Sequence, residues 1–161
     1  MHIKGTSAEV AAAVGHVNTF SGTPTVTLSN AHTLAELKTI NDEISGTITL
    51  HSYTEPLSGS TEHVKAALAG DFAEEYEGNV TLTDTADVVI QATDITTIDG
   101  DTTGTITVQN KIDIEGTPSD VDAAFDDVNT FSADPNADVT LTSDPTLAQL
   151  VTINNKIEGT I

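Results

Sequence analysis

The sequence has no cysteine, no tryptophan and no arginine, and aromatic residues make up 4% of its 161 positions. Without cysteine there are neither disulfides nor thiolate metal sites. Five lysines against 25 acidic residues leave a net charge of −20. Proteins bind nucleic acid by displacing counterions with Lys and Arg, so this composition argues for no nucleic-acid partner. It disfavours an anionic membrane surface for the same reason. No apolar run approaches membrane-spanning length, so no membrane insertion is expected. Met1-His2-Ile3-Lys4 leads straight into a capped helix pattern rather than a leader. So few aromatics also argue against a deep ligand pocket. What the chain has is threonine, its commonest residue, set among Val, Leu and Ile.

It also has repetition. Val26–Ile48 reads VTLSNAHTLAELKTINDEISGTI and Val139–Ile161 reads VTLTSDPTLAQLVTINNKIEGTI, identical at 14 of 23 positions without a gap. A looser copy runs from Val80 to Ile106 with four extra residues. Repeats have to be settled before motifs, because they set the architecture. The sequence divides into three units at about 3–50, 51–108 and 109–161, within a single repeat domain.

Each unit carries two helical patterns. The first opens at Thr6-Ser7-Ala8-Glu9, a capping box in which Thr6 and Glu9 satisfy each other's backbone N–H groups. Its apolar stripe is Val10, Val14, Val17 and Phe20, matched by Val64, Leu68, Phe72 and Tyr76, and by Val121, Phe125, Val128 and Phe131. Pro118 stands favourably at the start of the last copy. The second helix carries Leu34, Leu37, Ile40 and Ile44, and in the third unit Leu147, Leu150, Ile153 and Ile157 after the start signal Asp144-Pro145. In the middle unit Val88, Ile90, Ile95 and Ile98 blur the stripe. There Asp99-Gly100-Asp101 is expected to end the helix early, with the extra residues adding one turn. Gly46, Gly104 and Gly159 read as helix stops.

Between the helices lie short extended runs in which Thr alternates with Val, Leu or Ile: Thr25–Leu28, Val80–Thr83 and Val139–Thr142, then Thr47–Leu50, Thr105–Val108 and Thr160-Ile161. His51–Ser58 and Gln109–Glu115 read as connections. Regular alternation of strand and helix implies an α/β fold with a parallel sheet. Half-apolar strands bury one face only, whereas strands covered on both faces are continuously apolar. The expectation is therefore a solenoid of strand–helix–strand–helix repeats with helices mainly on one face. The alternative is an open parallel sheet covered on both faces. Such an array exposes its strand edges and the apolar flank of its last unit. Whether the chain is a piece of a longer array or a subunit docking onto identical copies, end-to-end association is expected.

Chemistry-bearing residues do not recur. The five histidines have no counterpart in the third unit, where Asp127, Pro145 and Asp120 align with His16, His32 and His63, and surface exposure is the reading for them. Asp134-Pro135-Asn136-Ala137-Asp138 offers oxygens at alternate positions, the opening of a calcium loop. Val139 and Pro145 stand where an EF-hand needs glycine and a bidentate glutamate. Asp99 and Asp101 form a second acidic candidate. The metal candidates are thus Asp134, Asn136, Asp138, Asp99 and Asp101, with Ca²⁺ the ion such hard oxygens select. No nucleophile elbow, phosphate loop or zinc-protease motif is present, so no catalytic residue is named and no other cofactor is expected. A regular threonine face offers hydroxyls to glycans or ordered water.

The strings VTLT, PTLAQL, TIN and GTI, alternating with Gly5-Thr6…Val17-Asn18-Thr19-Phe20 and Gly116-Thr117…Val128-Asn129-Thr130-Phe131, resemble the tandem α/β repeats of giant cell-surface and secreted proteins. These occur in marine cyanobacteria and other Gram-negative bacteria, and they are haemolysin-like or adhesin-like. The resemblance covers nearly the whole chain. It implies an extracellular or cell-surface location, a spacer or adhesive role and calcium nearby, although the Gly-Gly-x-Gly-x-Asp calcium nonapeptide of such proteins is missing here.

Overall fold

Alternation of a branched apolar residue with threonine marks the strands at the centre of two of the sheets. In the computed structural model, which describes residues 1–133 and 136–161, the order begins β1 (His2–Gly5), α1 (Ser7–Val14), β2 (Thr25–Leu28), α2 (Leu34–Glu43), β3 (Ile48–Thr49). It continues β4 (Leu57–Gly59), α3 (Thr61–Leu68), β5 (Val80–Leu82), β6 (Val89–Gln91), α4 (Ala92–Asp101), β7 (Ile106–Val108). Then come β8 (Ile112–Gly116), α5 (Pro118–Asp127), β9 (Thr130–Phe131), β10 (Ala137–Leu141) and α6 (Leu147–Asn154). The fold is α/β, and every strand pair among the described residues is parallel.

Among the described residues three short sheets result, ordered β1-β2-β3, β4-β5-β7-β9 and β10-β8-β6. In β2, β5 and β7 the Val, Leu and Ile side chains are buried and the threonines half-buried, as the alternation requires. The helices pack in chain order, each against the next, from α1 to α6. One continuous core lies between helices and strands, with Val10 and Val26 near one end and Ile153 near the other. Ile95, Ile98, Ile106 and Ile114 are fully buried at its centre, each side chain contributing about 1.5–3 kcal/mol by leaving water.

Caps fix where the helices start. Thr6 with Glu9, Thr33 with Glu36 and Thr146 with Gln149 form capping boxes, and Ser60 and Thr117 accept from the third backbone N–H of their helices. Asp144-Pro145 therefore lies ahead of α6 rather than inside it. Four of the five lysines tie successive elements or turns together through aspartate: Lys38 to Asp42, Lys65 to Asp94, Lys111 to Asp87 and Asp138, and Lys156 to Asp122 and Asp126.

Several local expectations need correction. The helices end sooner than the stripes suggest: Val17, Phe20, Phe72, Tyr76 and Phe131 lie beyond them, and Ile44 and Val128 occupy C-caps. Ile157 follows α6, and only Ile153 of that stripe is buried. In the middle stretch Val88 and Ile90 are not helical. The extra residues form a turn and strand β6, which pairs with β8. Asp87 makes that turn at φ 61, its N–H donating to the Lys111 carbonyl at 3.0 Å. Asp99-Gly100-Asp101 forms the last turn of α4, which ends at Asp101 as expected, but the extra residues add no turn to it. His51–Ser58 and Gln109–Glu115 are not wholly connections, since β4 and β8 arise within them.

Gly46, Gly104 and Gly159 do not cap helices. Their φ values are not positive, and the C-caps are Ile44, Thr102 and Asn155. Each instead brings the backbone against a carbonyl of the preceding layer: Pro24, Gly78 and Ala137 respectively. A Cβ there would collide with that carbonyl, so glycine is selected by close approach.

Candidate functional site

The acidic candidates separate on inspection. Asp134 lies outside the described residues. Asn136 is buried, and its side chain is fully used: Oδ1 accepts from the Ala137 and Glu158 N–H groups at 2.8 and 2.9 Å, and Nδ2 donates to the Lys156 carbonyl at 3.1 Å. Asp138 accepts from Lys111 Nζ at 2.6 Å and from the Thr160 N–H and hydroxyl at 2.7 and 3.0 Å. Those partners, Lys111 foremost, hold its carboxyl down at about 2. Both residues fasten the backbone around residues 156–160 to β10. Asp99 and Asp101 sit on the last turn of α4, Asp99 exposed and Asp101 half-buried, with burial raising the Asp101 carboxyl above its ordinary value. The Asp127 carboxyl is likewise raised, by burial first and then by the charges of Asp99 and Asp126. Among the described residues no three His, Cys, Asp or Glu side chains converge on a point that holds a metal, and no helix is long and apolar enough to cross a membrane.

One histidine departs from the surface reading. His2, His16, His51 and His63 are exposed, but His32 is 6% exposed. Its Nε2 lies 3.1 Å from the Tyr76 hydroxyl, which donates to the Glu55 carbonyl at 2.6 Å. With the hydroxyl hydrogen committed to Glu55, His32 donates from Nε2, which fixes the neutral tautomer. Its Nδ1 is buried without a partner. The sequence gives little sign of this pair, because Tyr76 is 44 positions away and reads as a helix residue.

Burial lowers the His32 pKa from 6.5, against smaller opposing effects of Glu55 and Glu36. The unfolded chain therefore binds more protons here as pH falls. The stability contributed by neutral His32 is complete above the unfolded pKa and is lost as pH drops below about 6.5 towards the folded value. Urea denaturation of the wild type and of His32→Gln checks this. Stability relative to the variant declines through that window, and parallel pH profiles would contradict it.

Two further surfaces lie at opposite ends of the helix row. On α6, Leu147 is 78% and Val151 52% exposed, with Ile161 also open to solvent. At the other end, Ile3, Lys4, Gly5, Glu9, Val10 and Ala13 line a shallow pocket of about 340 Å³ on the outer side of β1 and α1. Neither brings together a nucleophile and a base. Their chemistry is that of apolar contact, a knob at one end and a hollow at the other. The sequence pointed to open ends in general, but the alanines before Val14 in α1 carry no hint of a hollow. Comparison with protein-family models, with curated proteins and with solved structures finds no match to this chain.

Proposed function

We propose that this chain is a non-enzymatic structural module, a solenoid of three tandem repeats that serves as a rigid spacer or adhesin stalk in a surface or secreted protein. The observation that carries the reading is selective repetition. Val, Leu and Ile core positions, strand threonines, capping residues and the close-approach glycines recur, while no reactive side chain does. Helices packed in chain order and strands in parallel register suit a stack in which each turn contacts its neighbours. The fold then grows by adding turns, not by enlarging a core. An acidic, cysteine-free surface suits an exterior setting where salt screens self-repulsion within about 8 Å. Scattering from two copies fused in frame tests the reading: the particle becomes about twice as long at unchanged cross-section. A compact fusion with a wider cross-section would exclude it.

A second reading, a calcium- or glycan-binding adhesion module, draws on the acid-rich loops and on the half-exposed threonines of the strands. The spacer reading expects millimolar Ca²⁺ to leave the melting temperature unchanged. A ligand that binds only the native state raises it, so a rise of several degrees with Ca²⁺ favours the second reading.

A further inference from the structure

The two open ends match a contact that the chain already makes twice within itself. Strand β4 ends at Gly59, whose absent side chain leaves room for Leu34 Cδ2, the first residue of α2. Strand β8 ends at Gly116, where the nearest atom is Cβ of Ala92, the first residue of α4. In both cases the side chain that opens an even-numbered helix sits over the glycine that closes the strand before the next odd-numbered helix. Ala92 is fully buried and Leu34 packs against the core. The residue that opens α6 is Leu147, and it has nothing over it. The corresponding glycine of the first strand is Gly5, whose nearest neighbours are only Glu9 and Val10 of its own helix, and it lies in the 340 Å³ pocket.

We infer that Leu147 of one copy of this chain seats over Gly5 of the next, joining identical molecules head to tail. This rests on the array reading above and names its partner and contact. Three other features agree. Asn41 of α2 donates to the carbonyls of Ala66 and Ala67 in α3. Asn154 holds the matching place on α6, facing the Ala12 and Ala13 carbonyls of the following copy. Ala67 and Ala124 are fully buried by the preceding helix, whereas Ala13 is exposed. Finally, β8 is paired on both sides, with β10 and with β6, while β1, like β4, pairs on one side only. Carrying the β6–β8 register across the joint sets residues 144–146 along the free edge of β1. Asp144 then faces His2 beside Lys4, placing opposite charges across a joint between two acidic molecules.

Because knob and hollow are different surfaces, the contact is heterologous and does not close on itself. Sedimentation at rising protein concentration tests it. The wild type forms a concentration-dependent series of oligomers, favoured by added salt, which screens the −20 charge on each copy. Leu147→Asp weakens association roughly thirty-fold or more, as loss of a central anchor does. Gly5→Val, whose Cβ meets no atom closer than 3.4 Å in its own molecule, does the same from the other end. Each variant alone is monomeric, and an equimolar mixture gives dimers that grow no further, since one good knob and one good hollow remain. A wild type that stays monomeric at high concentration and high salt overturns the inference, as does Gly5→Val associating like wild type. Gly59→Val tests the underlying array separately: it destabilises the fold by displacing Leu34 whether or not the ends join. If Gly59→Val is neutral, the internal template itself is wrong.

Discussion

Replacing Gly104 with alanine lowers stability by about 1–3 kcal/mol, the range for forcing extra atoms into a packed interior, while the same change at Gly100 raises it by up to about 1 kcal/mol. The two positions are four residues apart and both were read as marks of a helix end. They differ in what a methyl group meets. At Gly104 it meets the carbonyl of Gly78 and the N–H of Asn79, both backbone atoms with no rotamer to yield. The chain there enters β7, whose Ile106 is fully buried and whose neighbours β5 and β9 are bonded on either side. Relief therefore requires shifting a strand of the four-stranded sheet. At Gly100, by contrast, the methyl meets nothing within 4 Å, and the residue lies inside α4. Alanine there removes the backbone entropy that glycine loses on entering a helix. Thermal melts of both variants check the opposite signs. Two shifts of the same sign would refute the close-approach explanation.

Removing the Tyr76 side chain carries the largest cost expected for any single residue. Tyr76 is 1% exposed and packs against Phe72 and His32, ring centroids 6.0 and 5.9 Å away. Tyr76→Ala leaves an aromatic-sized cavity, which costs about 3–5 kcal/mol, a large share of the about 5–15 kcal/mol that holds a domain together. Tyr76→Phe separates packing from hydrogen bonding. It keeps the ring but strands the Glu55 carbonyl and His32 Nε2, at about 1–3 kcal/mol for a buried group left unpaired. Chemical denaturation of the pair gives both numbers. Equal losses in Tyr76→Phe and Tyr76→Ala would mean that the hydroxyl does all of the stabilising.

Those two sites show what was legible in the sequence. Parallel α/β class, the threonine strands Thr25–Leu28 and Val80–Leu82, and the Thr6–Glu9 box were readable because local pattern and final environment agree. Strand β8 was missed although Ile112-Asp113-Ile114-Glu115 alternates strictly, because a segment between two stronger signals reads as a connection. Gly104 was noticed for the wrong reason: a helix stop and a close approach both demand glycine, and only the neighbouring layer tells them apart. His32 was misplaced because its burial depends on a tyrosine and a carbonyl that no local pattern brings near it. Asp138 drew attention as a candidate calcium ligand, and its grip on Thr160 and Lys111 depends on contacts more than 20 residues away.

The sheets carry a consequence for how the molecule comes apart. β9 belongs by sequence to the last third of the chain, yet it completes the sheet begun at β4, and β6 from the middle third supplies an edge to the sheet of β8 and β10. The sheets thus overlap along the chain instead of following the units read in the sequence. A cut made at the sequence boundary near residue 109 takes one strand from each of two sheets. Fragments trimmed there melt earlier than their length would suggest, because each loses an edge strand of its sheet.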